Sequence, residues 1–144
     1  MTGNDAGALV DGLRRFILEA HPATEPIYLY GTWATAAQRA DSDLDVAVLL
    51  PHGEATRVDR WQWHLLAVKL AGAAGTEHAD LVNLRRADTT LQAEILRTGR
   101  VVYCRDDDGR LEFETLVLSM YQKLNDERAG IRAAIVESAR TPQP

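Results

Sequence analysis

The run from Leu44 to Leu50 is the clearest strand of the chain, because apolar residues follow one another with one interruption and the turn residues Pro51–Gly53 come next. Three other segments are also typical of strands: 27–30, 78–84 and 100–104. Segments with helical spacing separate these strands, and this alternation predicts an α/β fold with a small sheet of about four strands flanked by helices. Because the connections are short, we expect a mixed sheet instead of a wholly parallel one.

The helical segments differ in length and in their apolar stripes. The first, at 5–20, follows the possible caps Asn4 and Asp5 and ends before Pro22. Its apolar stripe comprises Leu9, Leu13, Phe16, Ile17 and Ala20. Further helices are expected at 33–38, at 57–70 with Trp61, Leu65 and Val68 as its apolar positions, and at 89–97.

The last helical segment, at 110–138, is the longest pattern in the chain. Its first half, from Phe113 to Leu124, is expected to contribute to the core. Gly130 costs about 1 kcal/mol relative to alanine inside a helix, so a break is expected there. The region 128–140 mixes arginines with Ile131 and Ile135, and it is consistent either with surface packing or with docking of a partner.

Composition sets the class of protein. A chain of 144 residues supports one core, so we expect a single domain at 1–144, with an N-terminal helix at 5–20, a central core at 26–104 and a C-terminal helical segment at 110–138. The net charge of −5 argues against non-specific nucleic-acid binding. A polar N-terminus and the lack of an apolar run of about 20 residues indicate neither a signal peptide nor a membrane span, so the cytoplasm is the expected location. The single cysteine, Cys104, cannot form an internal disulfide, and we expect a buried thiol.

The segment around Tyr30-Gly31-Thr32 predicts an anion site. A strand runs into a glycine and a hydroxyl residue, and the amides that follow are expected to begin a helix. Unpaired N–H groups and the helix dipole then both point toward an incoming phosphate.

Ten residues separate Thr32 from Asp43, and the carboxylates Asp43 and Asp45 are two positions apart at the start of the clearest strand. On a strand both project from the same face, and they repel each other unless a cation lies between them. Magnesium suits this role, because it accepts one or two protein carboxylates and completes its shell with phosphate oxygens and water. Asp80, in the strand at 78–84, is the candidate third carboxylate for metal-assisted attack on an α-phosphate.

These motifs together resemble the nucleotidyltransferase superfamily that includes DNA polymerase beta. The shared pattern is Gly-Thr, ten residues, Asp-x-Asp, and later Asp80-Leu-Val-Asn-Leu. The small size is similar to that of the minimal nucleotidyltransferase antitoxins, which are encoded beside HEPN-domain ribonuclease toxins. The resemblance implies that such a chain transfers AMP from ATP, with Mg²⁺, onto a tyrosine of a HEPN toxin and so silences it.

The resemblance also implies roles for single residues. Asp43 and Asp45 would hold magnesium, and Asp80 would complete the site and assist deprotonation of the acceptor hydroxyl. The residues expected to contact the triphosphate are Gly31, Thr32, Trp33, Arg39 and Ser42. The family usually has a serine at the position of Thr32 and an arginine and a glycine shortly after it, whereas this chain has Trp33-Ala-Thr-Ala and then Arg39 as the nearest cation.

Alternatives to these interpretations remain open at this point. An isolated Asp-x-Asp can be a solvated strand edge, Asp41 is expected at the surface, and Trp33 either packs in the core or lines the site. The four histidines do not have the spacing of metal ligands. At the level of function, the chain could instead block a toxin by binding alone, or act on a small molecule such as an aminoglycoside.

Overall fold

The computed structural model describes residues 3–31 and 43–140, and their side chains from residue 6 onward. In chain order the elements are α1 Gly3–Ala20, β1 Ile27–Tyr30, β2 Leu44–Val48, α2 His52–Ala55, α3 Arg60–Ala74, β3 Ala79–Asn83, α4 Thr89–Thr98, β4 Arg100–Tyr103 and α5 Asp107–Arg140. A 3₁₀ turn at Leu84–Arg86 joins β3 to α4. The helix expected at 33–38 lies outside the described residues.

The strands form one mixed sheet in the order β3-β2-β1-β4, which confirms the prediction from the sequence. β1 is antiparallel to both β2 and β4, whereas β2 and β3 are parallel. The C-terminal end of β1 therefore meets the N-terminal ends of β2 and β3 at one end of the sheet. We call this end, which carries Tyr30, Asp45 and Asp80, the carboxylate end.

Helices cover both faces of the sheet, so its central strand is apolar on both sides. The first face packs against α1 and α3, and the core there includes Leu13, Ile17, Val46, Val48, Leu66 and Leu70. The second face packs against α4 and α5, and the core there includes Tyr28, Ala47, Leu49, Ile95, Phe113 and Val117. This two-sided burial accounts for the continuous apolar character of 44–50 in the sequence.

Aspartates set the starts of the two helices that precede and follow β3. Asp59 accepts a hydrogen bond from the Gln62 amide at 2.9 Å, and Asp88 accepts one from the Leu91 amide at 2.8 Å. α3 consequently begins at Arg60 and not at 57, as the sequence had suggested. α3 also runs through the position of Gly72 and ends at Gly75, whose φ of 72° is left-handed.

The predicted apolar face of α3 was wrong. Trp61 and Val68 are exposed, and the helix instead buries Leu66, Leu70 and Ala71. These residues belong to a stripe that starts at Trp63 and continues at i+3, i+4, i+7, i+8 and i+11, and this longer stripe faces the sheet. The expected turn at 51–53 is also replaced, since His52 begins the short helix α2.

α5 is one continuous helix, so the break expected at Gly130 is absent and the acidic residues from Asp107 onward belong to its first turn. Packing confirms the core role of Phe113 and Val117, but several apolar residues between 111 and 124 are exposed. Cys104 is only partly buried, contrary to expectation. Among the described residues, no helix is long and apolar enough to cross a membrane.

Candidate active site

Three polar side chains form a row across the carboxylate end of the sheet. Tyr30 on β1 pairs with Asp45 on β2, and Asp45 pairs with Asp80 on β3. Residues directly opposite one another on neighbouring strands point to the same side, with Cβ atoms about 5 Å apart. The side is the one covered by α4 and α5, because Tyr28 and Ala47, two positions away on the same strands, belong to that core. The row thus brings together two carboxylates that lie 35 positions apart in the sequence.

Gly31 ends β1 directly beside the Asp45 carboxylate. Its φ is +67°, a left-handed conformation that side chains disfavour. A Cβ at this position would also overlap the carboxylate oxygen Oδ2 of Asp45. Glycine is therefore required here both by the backbone turn and by the close approach to the carboxylate.

Without a bound cation, the carboxylates at this end of the sheet repel one another. Partial burial raises the pKa of Asp45, and the neighbouring charges of Asp80 and Asp43 raise it further. Asp43 is exposed and immediately precedes β2, and Asp80 is exposed on β3. A cation placed among these groups relieves the repulsion, so the site favours binding of a positive charge.

Tyr30 donates its hydroxyl hydrogen to Oδ2 of Asp80 at 3.1 Å. Burial raises the pKa of Tyr30 well above its usual range, and the charges of Asp80 and Asp45 add to the effect. The phenol therefore remains protonated and acts as a donor, which restrains the orientation of Asp80. Tyr30 was not predicted as a site residue from the sequence, although it directly precedes Gly31. The pairing of β1 with β2 places it on the same face as Asp45.

The donor set fits magnesium. Its oxygens are carboxylate oxygens, and two of the three predicted carboxylates lie next to each other on paired strands. Within residues 3–31 and 43–140, no group of three or more histidine, cysteine or acidic side chains encloses a metal position. Magnesium does not require such an enclosure, because it takes one or two carboxylates and completes its shell with substrate oxygens and water.

The remaining predicted site residues, Thr32, Trp33, Arg39 and Ser42, lie outside the described residues, as does Asp41. His78 is exposed, and its carbonyl accepts hydrogen bonds from the Leu44 amide at 3.1 Å and from the Thr76 hydroxyl at 2.9 Å. The structure thus places Gly31, Asp43, Asp45 and Asp80 together at one end of the sheet.

Comparison with known protein families gives a match to the family described as polymerase beta, nucleotidyltransferase, over residues 15–108. This span includes all four strands and the whole carboxylate row. The chain belongs to this nucleotidyltransferase family. The α/β fold and the class of enzyme that the sequence predicted are confirmed by this match.

Within the nucleotidyltransferases, the similar proteins form a consistent group. The chain is 36% identical over 110 residues to the protein adenylyltransferase MntA of Shewanella oneidensis, which covers 76% of this chain and 75% of that protein. It is also similar to a toxin–antitoxin complex solved with AMP-PNP, with a TM-score of 0.74, 31% identity and coverage of 88% of this chain and 98% of the other. A third similarity is to a complex of the tri-AMPylated Shewanella oneidensis HEPN toxin with an MNT antitoxin, with a TM-score of 0.71, 28% identity and coverage of 91% and 98%.

Proposed function

We propose that this nucleotidyltransferase transfers AMP from ATP to a tyrosine hydroxyl of a HEPN-domain toxin and thereby neutralises the toxin. The observation that carries the proposal is the row of Tyr30, Asp45 and Asp80 beside the left-handed Gly31 turn. The MntA relative supports the reaction, because its name is that of a protein adenylyltransferase. The AMP-PNP complex and the tri-AMPylated toxin support ATP as donor and a toxin as acceptor.

The reaction forms a bond between the acceptor oxygen and the α-phosphorus of ATP, and it breaks the bond to the β-phosphate oxygen, so that pyrophosphate leaves. Gly31 lets the phosphates approach the backbone closely, because no side chain stands between them and Asp45. Asp80 accepts the proton of the attacking hydroxyl, and Tyr30 holds Asp80 in position for this step.

Magnesium is the metal that the site fits, and Asp43 and Asp45 are the residues that would hold it. When bound, it neutralises the developing charge on the phosphates. Burial and then the charges of Asp80 and Asp43 raise the pKa of Asp45, and a divalent cation held there would offset the repulsion among these carboxylates. The use of ATP as donor is consistent with a reaction in the cytoplasm.

The test mixes the purified chain with the product of the neighbouring reading frame, Mg²⁺ and ATP labelled either at the α- or at the γ-phosphate. We expect α-label on the partner and no γ-label, since the adenylyl group moves and pyrophosphate leaves. Asp43→Ala and Asp45→Ala should each lower the transfer by at least about 100-fold, because they remove charge stabilisation in the transition state. Glu19→Ala, an exposed acidic residue on α1, serves as the matched control and should transfer normally.

The same experiment separates the alternatives. If no label appears while the partner ribonuclease stays inhibited by Asp43→Ala and Asp45→Ala, the chain neutralises by binding alone. If an aminoglycoside accepts the label instead of the protein, the acceptor is a small molecule. Either result contradicts the proposed function.

A further inference from the structure

The direction in which α5 crosses the sheet bears on how a protein acceptor reaches the site, if the proposed function is correct. Near its start, Phe113 lies against the guanidinium of Arg85, with 5.4 Å from Cζ to the ring centre. The Nε of Arg85 donates to the carbonyl of Leu50, which follows the C-terminal end of β2. Because Asp43 and Asp45 lie at the N-terminal end of β2, α5 begins at the opposite end of the sheet from the carboxylates.

From there α5 runs toward the carboxylate end. Glu114 accepts a hydrogen bond from the Tyr28 hydroxyl at 2.8 Å. Seven residues further along the helix, or about two turns, Tyr121 packs against the same core as Tyr30. The helix therefore passes over the sheet on the face that carries the carboxylate row, and it runs toward the end of the sheet at which that row lies.

The outer half of α5, residues 126–140, follows Tyr121 along the helix, and every residue in it is exposed. With a rise of 1.5 Å per residue, this segment projects about 22 Å past the sheet. The helical face that buries Phe113 and Val117 continues outward with Ile131 and Ile135, which are 60% and 62% exposed. An apolar stripe of this kind is normally covered, because isoleucine loses favourable burial energy when it faces water.

A groove of about 230 Å³ flanks the inner half of α5. It lies between α4 and α5, and its walls include Ala93, Leu96, Leu118 and Tyr121. α4 ends at Thr98, directly before β4 begins opposite Leu29, so the groove also opens near the carboxylate end. The groove and the outer half of α5 thus lie on successive parts of one helix that runs toward the carboxylate end.

The charges on the outer half of α5 argue against nucleic acid and anionic membranes as its partner. Residues 126–140 contain three acidic and three basic residues, Asp126, Glu127 and Glu137 against Arg128, Arg132 and Arg140. Binding to nucleic acid or to an anionic membrane surface requires an excess of positive charge, which the segment lacks. An apolar stripe with charges of both signs at its sides is typical of a helix that docks onto a protein.

We propose that the outer half of α5, through Ile131 and Ile135, is the surface on which the protein acceptor docks, so that its hydroxyl is delivered to the carboxylate row. The site is accessible to such an acceptor, because the carboxylates of Asp43 and Asp80 are exposed to solvent. Docking on α5 holds the acceptor on the same face and at the same end of the sheet as Asp45. Proximity of this kind raises the rate of a two-substrate reaction without adding a catalytic group.

The test uses a double variant, Ile131→Asp with Ile135→Asp, and the matched control Ala133→Asp. Ala133 lies on the opposite side of the same exposed turn, so the control introduces the same residue into the same segment without touching the stripe. Circular dichroism confirms that α5 remains helical in each. Two properties are then measured: complex formation with the toxin in the absence of nucleotide, and transfer of α-label to it.

We expect the double variant to weaken the complex by about 30-fold or more, as the loss of a central apolar anchor does in protein interfaces. Transfer of label at low toxin concentration should fall with it, while binding of AMP-PNP is unchanged and the Ala133→Asp variant behaves as wild type. Asp43→Ala separates the two proposals, because it should abolish transfer but keep the complex. A wild-type complex that forms without any transfer would remove the proposed function and leave the docking surface standing.

Four results would overturn the docking surface. The double variant could bind the toxin as tightly as wild type, or Ala133→Asp could weaken the complex equally. The wild-type chain could fail to bind the toxin at all. Finally, the wild-type chain could form a dimer in light scattering that the double variant abolishes, which would make a second copy of this chain the occupant.

Discussion

At the scale of single residues, the site depends on charge repulsion that the fold maintains. Asp45 lies between Asp80 on the next strand and Asp43 two positions before it, and its pKa is raised mainly by burial and then by these two charges. The folded state therefore holds the Asp45 proton more tightly than the unfolded state does. Stability of the metal-free protein should accordingly fall as the pH rises through the ordinary pKa of an aspartate and then through the raised pKa of Asp45.

Asp45→Asn should stabilise the metal-free protein while abolishing transfer. The substitution keeps the shape and removes the repelling charge, which is worth on the order of 1 kcal/mol at a partly solvated site. The melting temperature at pH 8 should rise by about 3–5 °C. The gain should shrink toward pH 4, because the raised pKa lets Asp45 take up a proton at a higher pH than an ordinary aspartate does. Differential scanning calorimetry at the two pH values checks this, and a lower melting temperature at pH 8 would contradict it.

Tyr30→Phe should lower the rate of AMP transfer by about 10- to 100-fold, the usual loss when the hydrogen-bond partner of a site carboxylate is removed. The ring still packs, so the melting temperature should hardly change. Tyr28→Phe is the matched control, because its hydroxyl contacts Glu114 on the same face but not Asp80. Equal activity losses in the two variants would show that the Tyr30–Asp80 hydrogen bond has no special role.

At the scale of elements, the helices and strands follow local rules closely, and the exceptions have local causes. The side-chain caps Asp59 and Asp88 fix where α3 and α4 begin. α5 continues through Gly130 because the cost of one glycine is small compared with the hydrogen bonds of a helix of 34 residues. Gly130 nevertheless leaves the outer half of α5 less stable than it could be.

Gly130→Ala should raise the stability of the outer half of α5 by about 1 kcal/mol, since alanine is the better helix former. A Cβ at Gly130 meets no atom within 4 Å, so the gain has no steric cost. Gly109→Ala is the control within the same helix, because its Cβ would lie 2.8 Å from Oδ2 of Asp106, whose other oxygen accepts from the Asp108 amide. Hydrogen exchange of amides 126–140 should slow in the first variant only; equal slowing in both would contradict this account.

At the scale of the whole molecule, Arg85 joins segments that are far apart in the sequence. Its guanidinium donates to the carbonyl of Leu50 at 2.6 Å and to Glu25 at 2.9 Å, and it lies over the ring of Phe113. One side chain thus connects the segment before β1, the end of β2 and the start of α5. Its contact with Phe113 anchors the start of α5 at the end opposite the carboxylates.

Arg85→Ala should lower the free energy of unfolding by about 2–4 kcal/mol, because it leaves the partly buried Glu25 without its cation. Arg85→Lys is the control: it keeps the charge but not the planar fork, and it should recover less than half of the loss. Urea denaturation measures both. A loss below about 0.5 kcal/mol in Arg85→Ala, the range of an ordinary surface substitution, would show that the connection is unimportant.

The sequence by itself determined the alternation of strands and helices, the mixed sheet and the Gly31, Asp43 and Asp45 motif, because each depends on residues that are close together in the chain. It also indicated Asp80 as a third carboxylate, but only as one member of a possible strand. Tertiary structure decided the rest. Pairing of β2 with β3 put Asp80 beside Asp45, and pairing of β1 with β2 added Tyr30 to the row.

Tertiary structure also decided which face of α3 is buried and which part of α5 is exposed. Trp61 and Val68 have helical spacing but are exposed, whereas Leu66 and Leu70 are buried against the sheet. A helix with more than one apolar stripe buries the stripe that packs better against its neighbour. In the sequence, Ile131 and Ile135 have the same helical spacing as core residues and cannot be distinguished from them. They are exposed because the sheet ends before the helix does. Only the assembled fold shows how far the helix extends beyond the strands that it packs against.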